Sequence, residues 1–292
     1  MNNYTGYLEK KGFSAKSIPT YLSPARNLHA WADLYGTTIE TIDYKTFLMY
    51  LDTLNKKGIS KKTIQDYIGS LKHYFNYLQQ ENYRSDNPIE NLAIKGIPKT
   101  ILKNVLEFEE LEHLYYWYET ENGDNIRKRN KIILGLLIYQ GLKTEEIYNL
   151  QLDNIQLSKG QITIPGTRKS NGRVLNLVGW QFMDLQEYQN QIRPGIIHKN
   201  NRDTEQFFLS AQGKLTLKNS LKSLHDELKT YNRNYQSFDQ IRTSVIVNWL
   251  KTYNLRKTQY LAGHRYISST ERYKQDNLEG LHDMINSFHP IQ

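Results

Sequence analysis

Apolar residues in the first third of the chain recur at intervals of three and four positions, the spacing of helices with one buried face. One such series ends at Gly36, and Ser14 is a candidate cap before it. Pro19 and Pro24 lie inside the series, so we expect that helix to begin late or to kink. Further series predict helices through Phe47–Leu54 and from Ser60 to Leu78. Residues 1–92 are therefore predicted to form a bundle of four short helices.

Residues 93–104 are predicted to link this bundle to a second domain, residues 105–292. Prolines and a glycine interrupt the periodicity between Pro88 and Pro98, as is typical of a linker. A new helical pattern begins at Phe108. The chain's last segment is predicted to be a C-terminal helix whose apolar face contains Leu278, Leu281, Met284, Ile285 and Phe288. That face could pack on its own domain or dock on a neighbouring copy.

The middle of the second domain has the pattern of a small β-sheet. Residues 161–166 and 173–177 alternate apolar and polar positions, which indicates two half-buried strands. The basic segment 167–172 between them contains Asn171-Gly172, a hairpin-turn signal. Residues 207–209 are predicted to form a third short strand, and everything from Thr216 onward is predicted to be helical. The expected fold class is mainly α with a small antiparallel sheet, an α+β domain preceded by a helical bundle.

Charge and composition narrow the choice of partner. The net charge is +8, with an excess of basic residues on both sides of Pro98, which suits a polyanionic partner such as DNA. An ordinary basic soluble protein would show the same excess. The chain has no cysteine, and this excludes disulfides, thiolate catalysis and zinc sites with sulfur ligands.

No apolar run suggests a membrane segment. The longest, Ile132–Tyr139, is interrupted by Gly135 and falls short of the roughly 18–20 residues that span a bilayer. It predicts a buried core helix. The residues after Met1 lack the basic-then-apolar pattern of a signal peptide. We therefore predict a cytoplasmic protein without a membrane partner.

Three segments of the second domain carry candidate chemistry. They are G-L-K-T-E-E-I at residues 141–147, D-Q-I-R at 239–242 and L-A-G-H-R-Y-I-S-S-T-E-R-Y at 261–273, in which His264 and Tyr273 are nine residues apart. In this order they resemble the patterns G-L-R-x-S/G-E-L, H-x-L-R and L-G-H-x5-T-x-x-Y of the tyrosine site-specific recombinases. This is the phage integrase family, which includes the Xer proteins. The basic hairpin is also in the family's place, and the N-terminal bundle resembles the family's core-type DNA-binding domain.

The resemblance implies breaking and rejoining of DNA strands in site-specific recombination. Cutting a phosphodiester without metal or nucleotide requires a nucleophile, a proton path and fixed positive charge around the phosphate. Among 22 tyrosines, Tyr273 is distinguished by its frame of Gly263, His264 and Thr270. The resemblance implies that Tyr273 forms a 3′-phosphotyrosyl bond and releases a 5′-hydroxyl, which later rejoins the DNA. No G-x-x-x-x-G-K loop is present, and no cofactor is expected.

The resemblance also implies roles for other residues. Arg242 would hold the scissile phosphate with two donors, and His264 would donate a hydrogen bond to a phosphate oxygen. Lys169 or Arg168 at the hairpin tip would be the general acid; we favour Lys169, because an arginine gives up its proton too reluctantly. The structural alternatives are an edge arginine, a packing histidine and a solvated basic turn.

Two positions depart from the family pattern. Lys143 replaces the first arginine and loses its planar double donor. Asp239 replaces a histidine and would repel the DNA backbone unless it is protonated or paired, for example with Lys143. The alternative function is therefore a recombinase-derived DNA-binding protein with weak or no cleavage. Glu146 matches the family's acidic residue and is predicted to brace nearby basic groups.

Double-stranded DNA is the predicted partner, and the resemblance implies a homotetramer on two DNA sites. Additional phosphate contacts are predicted around the start of the fourth helix, although a solvated loop face would have the same composition. The residues concerned are Lys56, Lys57, Lys61, Lys62 and Thr63. A helical protein-interaction scaffold with accidental motif matches is the remaining rival, and it predicts no DNA binding at physiological salt.

Overall fold

A computed structural model of the chain describes residues 2–97, 104–120, 124–200, 204–210 and 217–274. The chain divides into two compact units, residues 1–99 and 100–292. Each unit has its own cluster of buried apolar side chains.

The described part of the first unit contains four helices: α1 (Asn2–Lys10), α2 (Ile18–Leu34), α3 (Tyr44–Lys56) and α4 (Lys61–Gln80). The late start predicted for α2 is confirmed, since Pro19 lies in the first turn, where a missing amide proton costs little. The cap is Ser17 and not Ser14, whose hydroxyl instead contacts the Ser17 hydroxyl at 2.8 Å. Pro24 lies inside α2 without ending it.

The second unit begins with three helices, α5 (Phe108–Trp117), α6 (Asn125–Tyr139) and α7 (Thr144–Tyr148). A sheet follows, formed by β1 (Ile155–Gln156), β2 (Gln161–Ile164) and β3 (Arg173–Asn176). The remaining helices are α8 (Gly179–Glu187), α9 (Arg193–Asn200), α10 (Lys218–Tyr231), α11 (Phe238–Thr252) and α12 (Leu255–Ala262), with a π-helical turn, Tyr188–Ile192, between α8 and α9. Residues 268–274 are also helical. The predicted class, mainly α with a small antiparallel sheet, is confirmed.

The sheet is antiparallel, with the strands in the order β1-β2-β3. Thr163 pairs with Val174 in the predicted hairpin, and Ile155 pairs with Ile162 at the other edge. The predicted turn position was wrong. The tip is closed by a bridge between Thr167 and Ser170, and the Asn171-Gly172 pair lies after it.

The third strand predicted at residues 207–209 was also wrong, because β1 takes that place in the sheet. Phe207 and Phe208 are both fully buried and both pack against Tyr188, so their side chains do not alternate between core and solvent. Side chains satisfy the backbone of Leu209, whose amide donates to the Tyr188 hydroxyl at 3.1 Å and whose carbonyl accepts from Arg129 at 2.6 Å.

Helix α6 forms the centre of the second core, as its apolar run predicts, and its residues 132–138 are all buried. Within the described ranges, no helix combines the length and the apolar character that crossing a bilayer requires. The apolar face predicted at residues 278–288 lies outside the described residues.

Candidate active site

Buried Arg242 connects the three segments that carry the candidate chemistry. It lies in the first half of α11 with 6% of its surface exposed. Its guanidinium donates to the carbonyl of Gly141, before α7, and to the carbonyl of Ala262, at the end of α12, the latter at 2.5 Å. These two bonds hold the loops before Lys143 and His264 against one guanidinium, so residues about a hundred positions apart share one site.

A second buried arginine, Arg173 on β3, was missed by the sequence analysis. Its two terminal nitrogens each donate to one carboxylate oxygen of Glu146, both at 2.8 Å, and its side chain is fully buried. Glu146 also accepts from the Lys143 amide at 2.9 Å, which caps α7. Burial alone would raise the pKa of Glu146, but the bonds and charge of Arg173 lower it. The bracing role predicted for Glu146 is confirmed. The sequence did contain one signal for Arg173, namely its inward-facing position in a predicted strand.

Gly263 allows the backbone to approach this ion pair. It ends α12 in the left-handed region, at φ +65°. A Cβ atom there would lie 2.5 Å from a terminal nitrogen of Arg173, and that nitrogen is held by Glu146. A larger residue at this position therefore has to displace a buried ion pair as well as adopt a strained backbone.

We expect Gly263→Ala to destabilise the chain more than a matched glycine substitution. Gly160→Ala is the control, because Gly160 has φ +60° and no atom within 4 Å of a built Cβ. The left-handed backbone alone costs about 1–2 kcal/mol in either variant. Displacing the buried pair should cost about 3 kcal/mol more at Gly263. Urea unfolding measures both, and equal losses would contradict the proposed clash.

His264 and Tyr273 lie against each other. Their rings are stacked at 16° with centroids 5.6 Å apart, and His264 Nδ1 is 2.9 Å from the Thr270 hydroxyl. Burial, and then the charges of Arg242, Lys143 and Arg173, lower the pKa of His264 to about 4. The imidazole is therefore neutral at pH 7. A Thr270 hydroxyl that donates to Nδ1 would leave the proton on Nε2.

The lowered pKa of His264 predicts a pH-dependent stability. The unfolded chain takes up this proton near pH 6.5 and the folded chain only near pH 4, so stability should fall as the pH drops through this interval. We expect thermal unfolding of His264→Gln to depend less steeply on pH between 6.5 and 4 than that of the wild type. His198→Gln, at an exposed histidine of α9, is the control. If the unfolding temperatures of His264→Gln and the wild type fall equally with pH, His264 is not the source of the pH dependence.

The hairpin tip docks on the segment that contains His264. Ser170 forms a β-bridge with His264, the Asn171 amide donates to the Gly263 carbonyl at 3.1 Å, and Arg265 donates to the Arg168 carbonyl at 2.6 Å. The side chains of Arg168 and Lys169 are exposed. The tip therefore presents its two cations to solvent beside the buried cluster.

Lys143 and Asp239 are not paired with each other. Lys143 is half-buried, and burial, followed by the charges of Arg242 and Arg173, lowers the pKa of its amine. Asp239 is exposed on the first turn of α11 and forms no ion pair with Lys143. The pairing suggested from the sequence was therefore wrong, and Asp239 faces solvent one helical turn before Arg242.

In the first unit, the five residues proposed for phosphate contacts surround the turn between α3 and α4. Lys56 and Lys62 pair with Asp52 and Asp66 at 2.8 and 2.7 Å. Lys57 and Lys61 are exposed and form no ion pair with any described residue. Thr63 is engaged in the helix cap, since its hydroxyl lies 2.9 Å from that of Ser60 and its amide donates to the same oxygen.

Comparison with known proteins decides the family. Residues 104–279, more than half of the chain, match the model of the family described as the phage integrase family. The chain belongs to the phage integrase family. The predicted resemblance is thus confirmed, and the matched region contains Lys143, Arg242, His264 and Tyr273.

Similar proteins include two recombinases of comparable length. The tyrosine recombinase XerC of Oceanobacillus iheyensis is 23% identical over 99% of this chain and 95% of its own length. The tyrosine recombinase XerD of Listeria innocua is 26% identical over 96% of this chain and 95% of its own length.

Two solved structures have a similar fold. The site-specific recombinase XerH, bound to a palindromic difH substrate in a post-cleavage complex, has a TM-score of 0.73 and 19% identity over 96% of this chain and 84% of that one. A lambda integrase dimer bound to a core site has a TM-score of 0.65 and 13% identity over 94% of both chains. At these identities the similarity concerns the fold alone.

Proposed function

We propose that this member of the phage integrase family cuts and rejoins double-stranded DNA in site-specific recombination through a covalent bond between Tyr273 and a 3′-phosphate. The observation that carries the proposal is the stacking of Tyr273 on His264, 5.6 Å between centroids, in the cluster organised by Arg242. A nucleophilic phenol next to fixed positive charge is the arrangement that phosphodiester cleavage requires.

The charges of the cluster suit a phosphate. Lys143, Arg173 and Arg242 bring three positive charges together, and the nearby carboxylate of Glu146 is already bonded to Arg173. Arg242 contributes the planar donor set that matches a phosphate, and neutral His264 can donate from Nε2. Arg168 and Lys169 add charge from the tip, and exposed Asp239 would limit how closely the DNA backbone approaches the start of α11.

Covalent trapping tests the proposal. The full chain would be used to select binding sequences from random duplex DNA, and a nicked version of the selected duplex would then serve as a suicide substrate. The expected result is a protein–DNA adduct that survives SDS and is degraded by protease. Tight sequence-specific binding without any adduct would instead establish a DNA-binding protein that does not cleave.

The relatives suggest how the DNA is held. XerH is bound to its difH substrate and lambda integrase to a core site as a dimer, and we propose that this chain likewise binds DNA and assembles on it, as a tetramer across two sites. The turn between α3 and α4 is the proposed second contact, because Lys57 and Lys61 are exposed beside the start of α4 and pair with no described carboxylate. Exposed lysines at a helix N-terminus suit phosphates.

We expect the double substitution Lys57→Ala, Lys61→Ala to weaken DNA binding and to lower its salt dependence. Each lost phosphate contact should reduce the slope of log K against log salt by about 0.9. Lys10→Ala with Lys45→Ala removes the same charge from exposed positions at the end of α1 and the opposite end of α3. Fluorescence anisotropy at salt concentrations from roughly 50 to 300 mM gives the dissociation constants, and from them the slope, for both variants. Equal slopes for the two variants would exclude a contact at this turn.

A further inference from the structure

Backbone contacts attach the hairpin tip to the segment that follows α12. Ser170 forms a β-bridge with His264, and the Asn171 amide donates to the Gly263 carbonyl at 3.1 Å. The Asn171 side chain adds a long hydrogen bond of 3.4 Å to the His264 carbonyl. Because His264 stacks on Tyr273, the tip is fixed to the part of the site that contains the proposed nucleophile.

Arg265 adds a side-chain bond on the other side of the tip. Its guanidinium donates to the Arg168 carbonyl at 2.6 Å, a charge-assisted hydrogen bond. That carbonyl belongs to the peptide bond between Arg168 and Lys169, so the guanidinium holds the backbone from which the lysine side chain departs. Lys169 thus lies between two attachment points, Arg168 and Ser170.

The hydrogen bonds within the tip make it a compact unit. The Thr167 hydroxyl accepts from the amides of Lys169 and Ser170 at 3.2 and 3.1 Å, and it lies 2.9 Å from the Ser170 hydroxyl. The orientation of such a unit depends on its outer contacts, of which the Arg265 bond is one. Misplacing a catalytic group by about 1 Å can slow a reaction by about 100-fold. An exposed side chain that orients the tip can therefore control the rate.

We propose that Arg265 is a positioning residue for Lys169: its bond to the Arg168 carbonyl orients the hairpin tip so that the lysine ammonium can protonate the departing 5′-oxygen. The inference rests on the proposed function and on the general-acid role expected for Lys169. As the Tyr273 oxygen bonds to phosphorus, the bond from phosphorus to the 5′-oxygen breaks, and that oxygen takes the proton of Lys169. The phenolic proton passes to solvent water. Arg265 transfers no proton, since an arginine stays charged at neutral pH.

A substrate with sulfur in place of the bridging 5′-oxygen separates proton delivery from phosphate binding, because a thiolate leaves without protonation. The probe is the selected suicide duplex with a 5′-bridging phosphorothiolate at the cleaved bond, compared with the ordinary duplex. Arg265→Met keeps an unbranched stem and removes the donor. We expect it to slow adduct formation about tenfold with oxygen, which is part of the roughly 100-fold contribution of a general acid, and to stay within about twofold of the wild type with sulfur.

Combination with Lys169→Ala shows whether Arg265 acts through the lysine. Lys169→Ala alone should lose about 100-fold with oxygen and little with sulfur. The double variant should be no slower than Lys169→Ala, because a group that is absent can no longer be misplaced. Arg265→Lys restores a donor and should recover most of the rate with oxygen.

Arg256→Met is the matched control for the lost charge. Arg256 is an exposed arginine of α12 that donates to the Gln259 side chain at 3.2 Å. This variant should form the adduct at the wild-type rate with both substrates. A selective loss with oxygen in Arg256→Met would attribute the effect to charge and overturn the proposal.

Three other results would also overturn the proposal. They are equal losses of Arg265→Met with oxygen and sulfur, which would indicate a direct phosphate contact, a further loss when Arg265→Met is added to Lys169→Ala, and equal losses of Lys169→Ala with both substrates. A wild-type chain that forms no adduct with either substrate would instead refute the proposed function of Tyr273.

Discussion

Tyr273→Phe should abolish the covalent protein–DNA adduct while leaving DNA binding unchanged. Phenylalanine lacks the hydroxyl oxygen that would bond to phosphorus, yet it retains the ring that stacks on His264 at 5.6 Å. The expected loss is at least about 1,000-fold, down to the detection limit of an SDS gel, because removing a nucleophile eliminates the covalent route. Anisotropy on the same duplex should give a dissociation constant within about twofold of the wild type.

The matched control for Tyr273→Phe is Tyr266→Phe. Tyr266 lies in the same segment and is 66% exposed, so its hydroxyl can be removed with little effect on the structure. This variant should form the adduct at the wild-type rate. Persistence of the adduct in Tyr273→Phe would show that a different residue attacks the phosphate, and peptide mapping of the adduct would then identify it.

Arg242→Lys should reduce cleavage by about 100- to 1,000-fold, the effect of losing a donor to a charged transition state. A lysine keeps the charge but lacks the planar set of donors that reaches two carbonyls and a phosphate together. The carbonyls of Gly141 and Ala262 would lose their buried donor, at a cost to stability of about 1–3 kcal/mol. Adduct formation under single-turnover conditions and urea unfolding measure the two effects.

Arg193→Lys separates the catalytic effect from the structural one. Arg193 is also 6% exposed and also donates to backbone carbonyls, those of Thr204 and Gln206, but it lies on α9 outside the cluster. Its replacement should lower stability to a similar extent and leave the rate of cleavage unchanged. If Arg242→Lys loses stability but cleaves like the wild type, Arg242 only connects the loops.

The sequence alone determined the helices of the bundle, the hairpin, the buried helix α6 and the family. The elements depend on patterns within one segment, such as three-to-four spacing in a helix or alternation along a strand. The family depends on short motifs and on their order along the chain, which need no knowledge of the fold. Tyr273 could be selected from 22 tyrosines because its frame lies within ten residues of it. Local periodicity shows which face of a helix or strand is buried, and this is enough to locate the helices and strands along the chain.

The tertiary structure alone decided which distant groups meet. Arg173 and Glu146 are 27 residues apart, and their pairing follows from docking β3 against the start of α7. In the same pairing both oxygens of the Glu146 carboxylate accept from Arg173, a contact that no local pattern in the sequence reveals. Residues 207–209 are all buried, and side chains rather than a neighbouring strand bond the backbone of Leu209, which strand propensity does not reveal. Long-range contacts depend on how whole elements pack, and a single segment does not carry that information.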